Sequence, residues 1–365
     1  PALFLLDTDL EDSLPEDRSI THYLDGGDHE NRLKQELILG IGGIRALNEM
    51  GIVPELYHSN EGHSAFISLE RIRRLIEEYH LTFDQAVEAI RPSTLFTTHT
   101  PVPAGHDAFE EDLLRKYISH YHTRLNITWD QLMDLGRCPG DADRKFNMSF
   151  LATYMSQELN GVSKLHGEVT QGLFNKLWPG YLKEELYIGH VTNGVHYPTW
   201  IAPEWQEVYR ELLGTANFDQ TDRSLWEKLY TIDDKKIYEV KTALKKKLFV
   251  NIRKRLQSDM IDKHVSPRTL LNISTHLNDK ALTIGFARRF ATYKRASLLF
   301  RDMDRLARIV NDPDRPVQFI YAGKAHPHDG GGQDLIKRIV EISQMPQFTG
   351  KVLFLENYDL SLIHI

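Results

Sequence analysis

The 365 residues are long enough for two or three domains at about 150 residues each, and 41% hydrophobic with 26% charged residues is the balance of a globular chain with large cores. A net charge of −7 gives no basic field for a nucleic acid, and no apolar run approaches membrane-spanning length. The single cysteine, Cys138, excludes an internal disulfide framework and fits a reducing, cytoplasmic setting.

Ala2–Leu6 reads as a strand entered mid-domain; with no initiator Met, a truncated N-terminus is expected. An acidic loop, Asp7 to Asp17, and a turn at Gly26-Gly27-Asp28 follow. His29 to Met50 reads as a helix, since Leu33, Leu37, Ile41, Ile44 and Leu47 recur every three or four residues. Gly40, Gly42 and Gly43 inside it predict close packing on a neighbour. Pro54–His58 is a short strand, Asn60–His63 a loop, Ala65–His80 a helix, and Thr94–Thr98 a strand ending at His99. This β-α-β-α-β alternation predicts an α/β fold with a parallel, doubly wound sheet. Helices are expected at Phe109–Tyr121, Thr128–Leu135 and Asn147–Leu159, a loop-to-helix junction at Asn160–His166, and a strand at Leu186–Val191. Thr192-Asn-Gly194 marks the expected domain boundary, giving domains 1–194 and 195–365. Asp233 or Asp234 caps a long helix carrying Ile237, Val240, Leu244, Leu248, Ile252 and Leu256, with Lys245–Lys247 on its solvated face. A second β-α-β-α-β series has strands at Ala281–Phe286, Val317–Ala322 and Val352–Leu355. Gly323-Lys324 and Glu356-Asn357-Tyr358 lie at the C-terminal ends of the last two, the edge where open parallel sheets bind ligands.

Gly285 to Arg295 carries the densest chemistry. It follows a strand, precedes the apolar run Ala296–Phe300 expected to open a helix, and holds Arg288, Arg289, Lys294 and Arg295 in one turn. A helix N-terminus with paired Arg forks and a Lys point charge suits a phosphate. A solvated basic turn is the plainer reading, and these residues alone leave both open. The histidine groups His58/His63, His99/His106 and His326/His328 with Asp329 match no zinc spacing, so no metal is expected. Gly330-Gly-Gly332 lacks the spacing of a dinucleotide or phosphate loop and reads as a flexible loop before a helix at Leu335.

Taken together these segments resemble the α-glucan phosphorylases (glycogen, starch and maltodextrin phosphorylases). The carriers are Arg288-Arg289 with Tyr293-Lys294-Arg295, Arg32-Leu-Lys-Gln-Glu36, Asn60-x-x-His63, Thr98-His99-Thr100, Asn147-Met148, Asn160-Gly-Val162 with His166, Thr192-Asn-Gly194 with Trp200, Gly323-Lys-Ala325, and Phe354-Leu-Glu-Asn-Tyr358. His99-Thr-Pro-Val-Pro-Ala-Gly-His-Asp107 is similar to the bacterial and archaeal branch. The resemblance implies two facing Rossmann-like domains of the GT-B glycosyltransferase architecture, both incomplete here, with pyridoxal phosphate between them. It implies phosphorolysis of terminal α-1,4-linked glucose by orthophosphate to give glucose 1-phosphate. Arg289 and Lys294 are then expected on the substrate phosphate, and Arg288, standing where the family has a Lys, near the cofactor phosphate. His99, with Asn60 and His63, is expected at the glucose and Tyr358 at the cofactor; by spacing Trp205 stands where the family often has a sugar-holding Asn. No stretch matches the Schiff-base lysine motif, expected beyond Tyr358, and Leu360–Ile365 reads as translated sequencing-adapter sequence. A fragment cut at both ends, and inactive by itself, is therefore expected. Its partners are glucan and phosphate, not nucleic acid or membrane, and a homo-oligomer is compatible with the family. The alternatives are a nucleotide-sugar glucosyltransferase of the glycogen or starch synthase kind, and a non-catalytic glucan-binding module.

Overall fold

A computed structural model describes residues 3–23, 28–102, 105–140, 142, 144–215, 218–262 (side chains through 255), 277–325 and 329–356. It is a mixed α/β chain with parallel sheets, and it divides into two compact units, Pro1–Gly194 and Val195–Ile365.

The first unit is built on a four-stranded parallel sheet of β1 (Tyr57–Asn60), β2 (Thr94–Thr97), β5 (Glu158–Gly161) and β6 (Ile188–His190), in the order β1-β2-β5-β6. A two-residue antiparallel pair, β3 (Ala108–Phe109) with β4 (Phe146–Asn147), stands apart from it. In register, Asn60 lies opposite Thr97 and Thr97 opposite Asn160, so three polar side chains line up at the C-terminal edge. Helices Ile67–Tyr79, Phe83–Ile90 and Lys164–Phe174 carry the chain between strands. Two helices start from a Thr whose side chain accepts from the third residue's N–H: Phe83–Ile90 with Thr82 on Gln85, and Trp129–Asp134 with Thr128 on Gln131, each cap contributing about 1 kcal/mol. The core runs from Leu33, Phe66 and Leu69 through Phe96 and Phe109 to Phe146, Leu151 and Phe174.

The helix expected over His29–Met50 is interrupted by a π-helical stretch. His29–Leu37 and Gly43–Glu49 are α-helical, and Ile38–Gly42 between them is π. Gly40 explains the close packing: a Cβ there would lie 2.7 Å from Phe66 Cβ, whereas at Gly42 and Gly43 the nearest atoms are at 3.9 and 4.0 Å. The strand expected over Ala2–Leu6 is not formed by residues 3–6, which pair with no other strand among the described residues and leave Leu3, Phe4 and Leu5 exposed. The helix expected to Leu159 stops at Tyr154, because Glu158–Gly161 pairs with β2 on one side and β6 on the other.

In the second unit β7 (Leu282–Ala287), β8 (Val317–Ala322) and β9 (Val352–Leu355) form a parallel sheet in that order. Phe319 and Tyr321 pack with Phe290, Leu306, Ile339 and Val352 on one face. Ile320 and Ala322 pack with Phe249, Ile252 and Leu353 on the other, beneath the helix Asp234–Asp262. Burial on both faces is why β8 reads as an unbroken apolar run after Gln318. Gln318, 1% exposed, is satisfied: its Nε2 donates to Asn278 O at 2.9 Å and Thr283 Oγ1 at 2.7 Å.

Two expectations are corrected here. Ala296 opens a 3₁₀ stretch to Arg301, and the α-helix begins only at Met303, capped by Asp302 on Arg305 N at 2.9 Å. Gly330-Gly-Gly332 is the first turn of the helix Gly330–Ser343, capped by Asp329 on Gly332 N at 2.9 Å, rather than a loose loop. Among the described residues no helix is long and apolar enough to cross a membrane.

Candidate functional site

Chemistry-bearing side chains gather at the C-terminal edge of each sheet. In the first unit Asn60 ends β1 and His99 follows β2. His99 Nε2 lies 2.6 Å from Asn60 Oδ1, so the register brings together two of the three expected sugar residues. A further chain continues inward: His58 Nε2 donates to Thr97 Oγ1 at 2.8 Å, and Thr97 Oγ1 donates to Asn160 Oδ1 at 2.9 Å. Next to them sits a residue the sequence did not single out. Glu61 accepts from the His99 backbone N–H and from Thr100 Oγ1 at 3.1 Å. His166, behind this edge, is buried, and its Nδ1 accepts from Val162 N at 3.2 Å. Gly161 must be glycine for that approach, since a Cβ would lie 2.8 Å from His166 Nδ1.

The third expected sugar residue, His63, engages other partners. It joins Arg32, Glu36 and Asp107 in a charged network linking the first helix, the turn after β1 and the segment before β3. His63 Nδ1 lies 3.1 Å from Asp107 Oδ2, Arg32 Nη2 lies 3.1 Å from the same oxygen, and Arg32 Nε lies 3.1 Å from Glu36 Oε1. His63 Nδ1 thus meets both the acceptor Asp107 Oδ2 and, at 2.5 Å, the donor Arg32 Nη2. Glu36, His63 and Asp107 each offer a ligand atom within 4.8 Å of one another, but the Arg32 guanidinium already stands among them, which suits an ion network better than a dication.

The shifts follow from that geometry. Burial pushes the Glu36 carboxyl up to about 8, against hydrogen bonding from His63. The hydrogen bond to Asp107, then that to Glu36, pushes His63 up to about 9. Burial would raise Asp107, but hydrogen bonds from His63 and Glu36 with the Arg32 charge hold it well below the usual range. Glu36 and His63 therefore both bind protons more tightly folded than unfolded, and stability falls as pH rises. The Glu36 contribution is full below about 4.5 and gone above about 8; that of His63 is full below about 6.5 and lost through about 9. Thermal unfolding of the protein is expected to show Tm falling between pH 6.5 and 9. Glu36→Gln, which keeps a neutral hydrogen-bonding group, is expected to fold normally at pH 6 and to flatten this decline. An equally steep decline in the variant refutes the assignment.

In the second unit, Arg288 and Arg289 follow β7 directly and are exposed. Lys294 lies in a 3₁₀ turn with its ammonium over the Tyr293 ring, 4.5 Å from the centroid, and Arg295 adopts the left-handed region at φ 59°. Among the described residues Arg288, Arg289, Lys294 and Arg295 have no carboxylate within ion-pair distance. The loop backbone is held from below. Arg288 N donates to Ala322 O at 3.2 Å and Phe290 N to Lys324 O at 2.9 Å, and Phe290 bridges Ala325 in parallel. The expected α-helical N-terminus does not start here, so the positive charge of this edge comes from side-chain cations.

Trp205, where the family often has Asn, packs with Tyr209, Ala202 and Val208 in a small core instead of reaching a sheet edge. Tyr358, His326 and His328 lie outside the described residues.

The model of the carbohydrate phosphorylase family matches residues 54–365. The chain is similar to a glycogen phosphorylase of Mycobacterium tuberculosis, 40% identical over all of this chain and 43% of that protein. It is 41% identical to a maltodextrin phosphorylase of Thermococcus litoralis over 98% of this chain and 42% of that one. To a glycogen phosphorylase of Aquifex aeolicus it is 36% identical over 99% of this chain and 52% of that protein. The chain thus spans about half, or less, of the length of these relatives. With relatives aligned over essentially its whole length and the family matched from β1 onward, the chain belongs to the carbohydrate phosphorylase family.

Proposed function

We propose that the protein carrying this chain is an α-glucan phosphorylase. It transfers the terminal α-1,4-linked glucose of glycogen, starch or maltodextrin to orthophosphate and releases glucose 1-phosphate. The observation that carries this reading is the cluster of solvent-accessible cations at the β7-β8-β9 edge with no carboxylate partner among the described residues, in a chain of the carbohydrate phosphorylase family. A structural ion network would supply those cations with acids; these wait for an anion from outside.

In this reading residues 1–194 are the second half of an N-terminal Rossmann-like domain and 195–365 the first part of a C-terminal one. Arg289 and Lys294 hold orthophosphate: the planar fork fixes two oxygens and the ammonium offsets charge as the glycosidic bond passes to phosphate. Arg288 would hold the phosphate of pyridoxal phosphate, and Tyr358 would contact the same cofactor. The residues present fit that group, since two neighbouring phosphates need several cations without competing carboxylates. When bound, the cofactor's phosphate supplies a proton donor and acceptor next to the substrate.

His99 orients the sugar. Because Asn60 Oδ1 is an acceptor, Nε2 of His99 carries the hydrogen, which leaves the Nδ1 lone pair to accept a glucose hydroxyl. His63, already engaged by Asp107, contributes by holding the turn after Asn60. A cytoplasmic location goes with this reading.

A nucleotide-sugar glucosyltransferase would also use a cationic edge, so the test separates donors. The full-length protein, incubated with maltodextrin and orthophosphate, is expected to release glucose 1-phosphate. Transfer from a nucleoside-diphosphate glucose without phosphorolysis overturns the proposal.

A further inference from the structure

Glu61 has a backbone that a glutamate should avoid. Its φ of 66° and ψ of 177° fall in a region essentially reserved for glycine and strained for other residues. A glycine is available next door, but it is committed elsewhere. A Cβ at Gly62 would lie 3.0 Å from Ser149 N and 3.1 Å from Met148 Cβ, so the turn is wedged against the helix Met148–Tyr154. Glu61 N is tied to the sheet through Thr97 O at 2.8 Å, while its side chain turns to the strand-end loop after β2. There one carboxylate accepts from three consecutive residues: Thr98 Oγ1 at 3.4 Å, the His99 N–H, and Thr100 Oγ1 at 3.1 Å. The residue it grips in the middle is the one whose imidazole meets Asn60 at 2.6 Å.

We propose that Glu61 is a positioning residue. It clamps the 98–100 segment through the His99 N–H and two threonine hydroxyls so that His99 is fixed against Asn60, and its left-handed backbone is the strain tolerated to bring the carboxylate beneath that loop. Substitution by glycine separates the two properties, because it relieves the backbone and removes the clamp. This inference rests on the sugar-binding reading of His99, whereas its first readout does not depend on any activity.

The test uses Glu61→Gly and Glu61→Gln in the full-length protein. The first readout is hydrogen exchange over residues 98–100, with Tm alongside. The second is kcat and KM for maltodextrin under phosphorolysis. Glu61→Gly is expected to keep a Tm close to wild type, since relief of strain offsets the lost hydrogen bonds. Exchange at 98–100 should accelerate at least tenfold, and KM for maltodextrin should rise with kcat/KM down at least tenfold. Glu61→Gln, which keeps a carbonyl acceptor, should recover part of both. Unchanged exchange in Glu61→Gly overturns the clamp. Accelerated exchange with unchanged maltodextrin kinetics overturns its link to His99. If the wild-type protein does not phosphorolyse maltodextrin at all, the functional reading fails, and the exchange result still decides whether Glu61 holds the loop.

Discussion

Replacing Arg289 with alanine is expected to lower kcat/KM for phosphorolysis by about 10²–10³-fold, with Tm almost unchanged. The stability half follows from exposure. Arg289 is exposed and has no carboxylate partner among the described residues, so its removal opens no cavity and strands no buried charge. Such surface substitutions usually stay within about 0.5 kcal/mol. The activity half follows from where charge develops. A donor aimed at a growing oxyanion in a water-poor site is worth about 2.7–4 kcal/mol, which is two to three powers of ten in rate. The defect should appear in KM for phosphate and in kcat, and leave KM for maltodextrin close to wild type, because the sugar contacts proposed here belong to the first unit. Arg289→Lys keeps the charge but not the planar fork and should fall between alanine and wild type. Glucose 1-phosphate release, measured across phosphate concentrations, checks all three. Full activity in Arg289→Ala removes this residue from the phosphate site.

The central strands β2 and β8 were legible because they are mostly buried and end abruptly. Val317–Ala322 is apolar on both sides of the pleat after Gln318 and stops at Gly323; the observed strand has those limits. Glu158–Gly161 was hidden in a helical pattern because only Leu159 in it is apolar. It becomes a strand through its two neighbours, a condition that no local window contains. The 3₁₀ run at Ala296–Arg301 was read as an α-helix because its apolar residues satisfy either period. The same limit governs the site. Asn60 and His99 each end a strand, so the sheet register alone brings them together. Arg32 and Glu36 are spaced i,i+4 on a helix and could be paired on paper, but Asp107 is 75 residues from Arg32 and nothing local announces it. Glu61 stands inside Asn60-x-x-His63, one of the segments that carry the resemblance, but its distinguishing property is a backbone angle, which no sequence pattern displays.

Gly323→Ala is expected to destabilise the second unit by about 3 kcal/mol or more, combining left-handed backbone strain with overpacking. Gly323 has φ 148°, and a Cβ there would sit 2.0 Å from Arg288 O and 3.0 Å from Phe290 Cε2. No rotamer relieves a clash between a Cβ and a backbone oxygen; either the β8 end or the Arg288–Phe290 segment must move. Gly332 makes the same demand from the other side, where a Cβ would lie 2.2 Å from Phe290 O. The cationic loop is thus seated on two glycines, and its hydrogen bonds to Ala322 O and Lys324 O depend on that fit. A variant that survives by shifting the loop should show the cost in phosphate affinity, since Arg288 and Arg289 move with their backbone. Gly285→Ala is the matched control: a Cβ there meets nothing within 4 Å, so its stability should stay within about 0.5 kcal/mol of wild type. Denaturant unfolding of the three proteins, with phosphate affinity measured on each, decides the matter. Equal stability and equal phosphate binding for Gly323→Ala and Gly285→Ala would show that the loop does not need the close approach of Gly323.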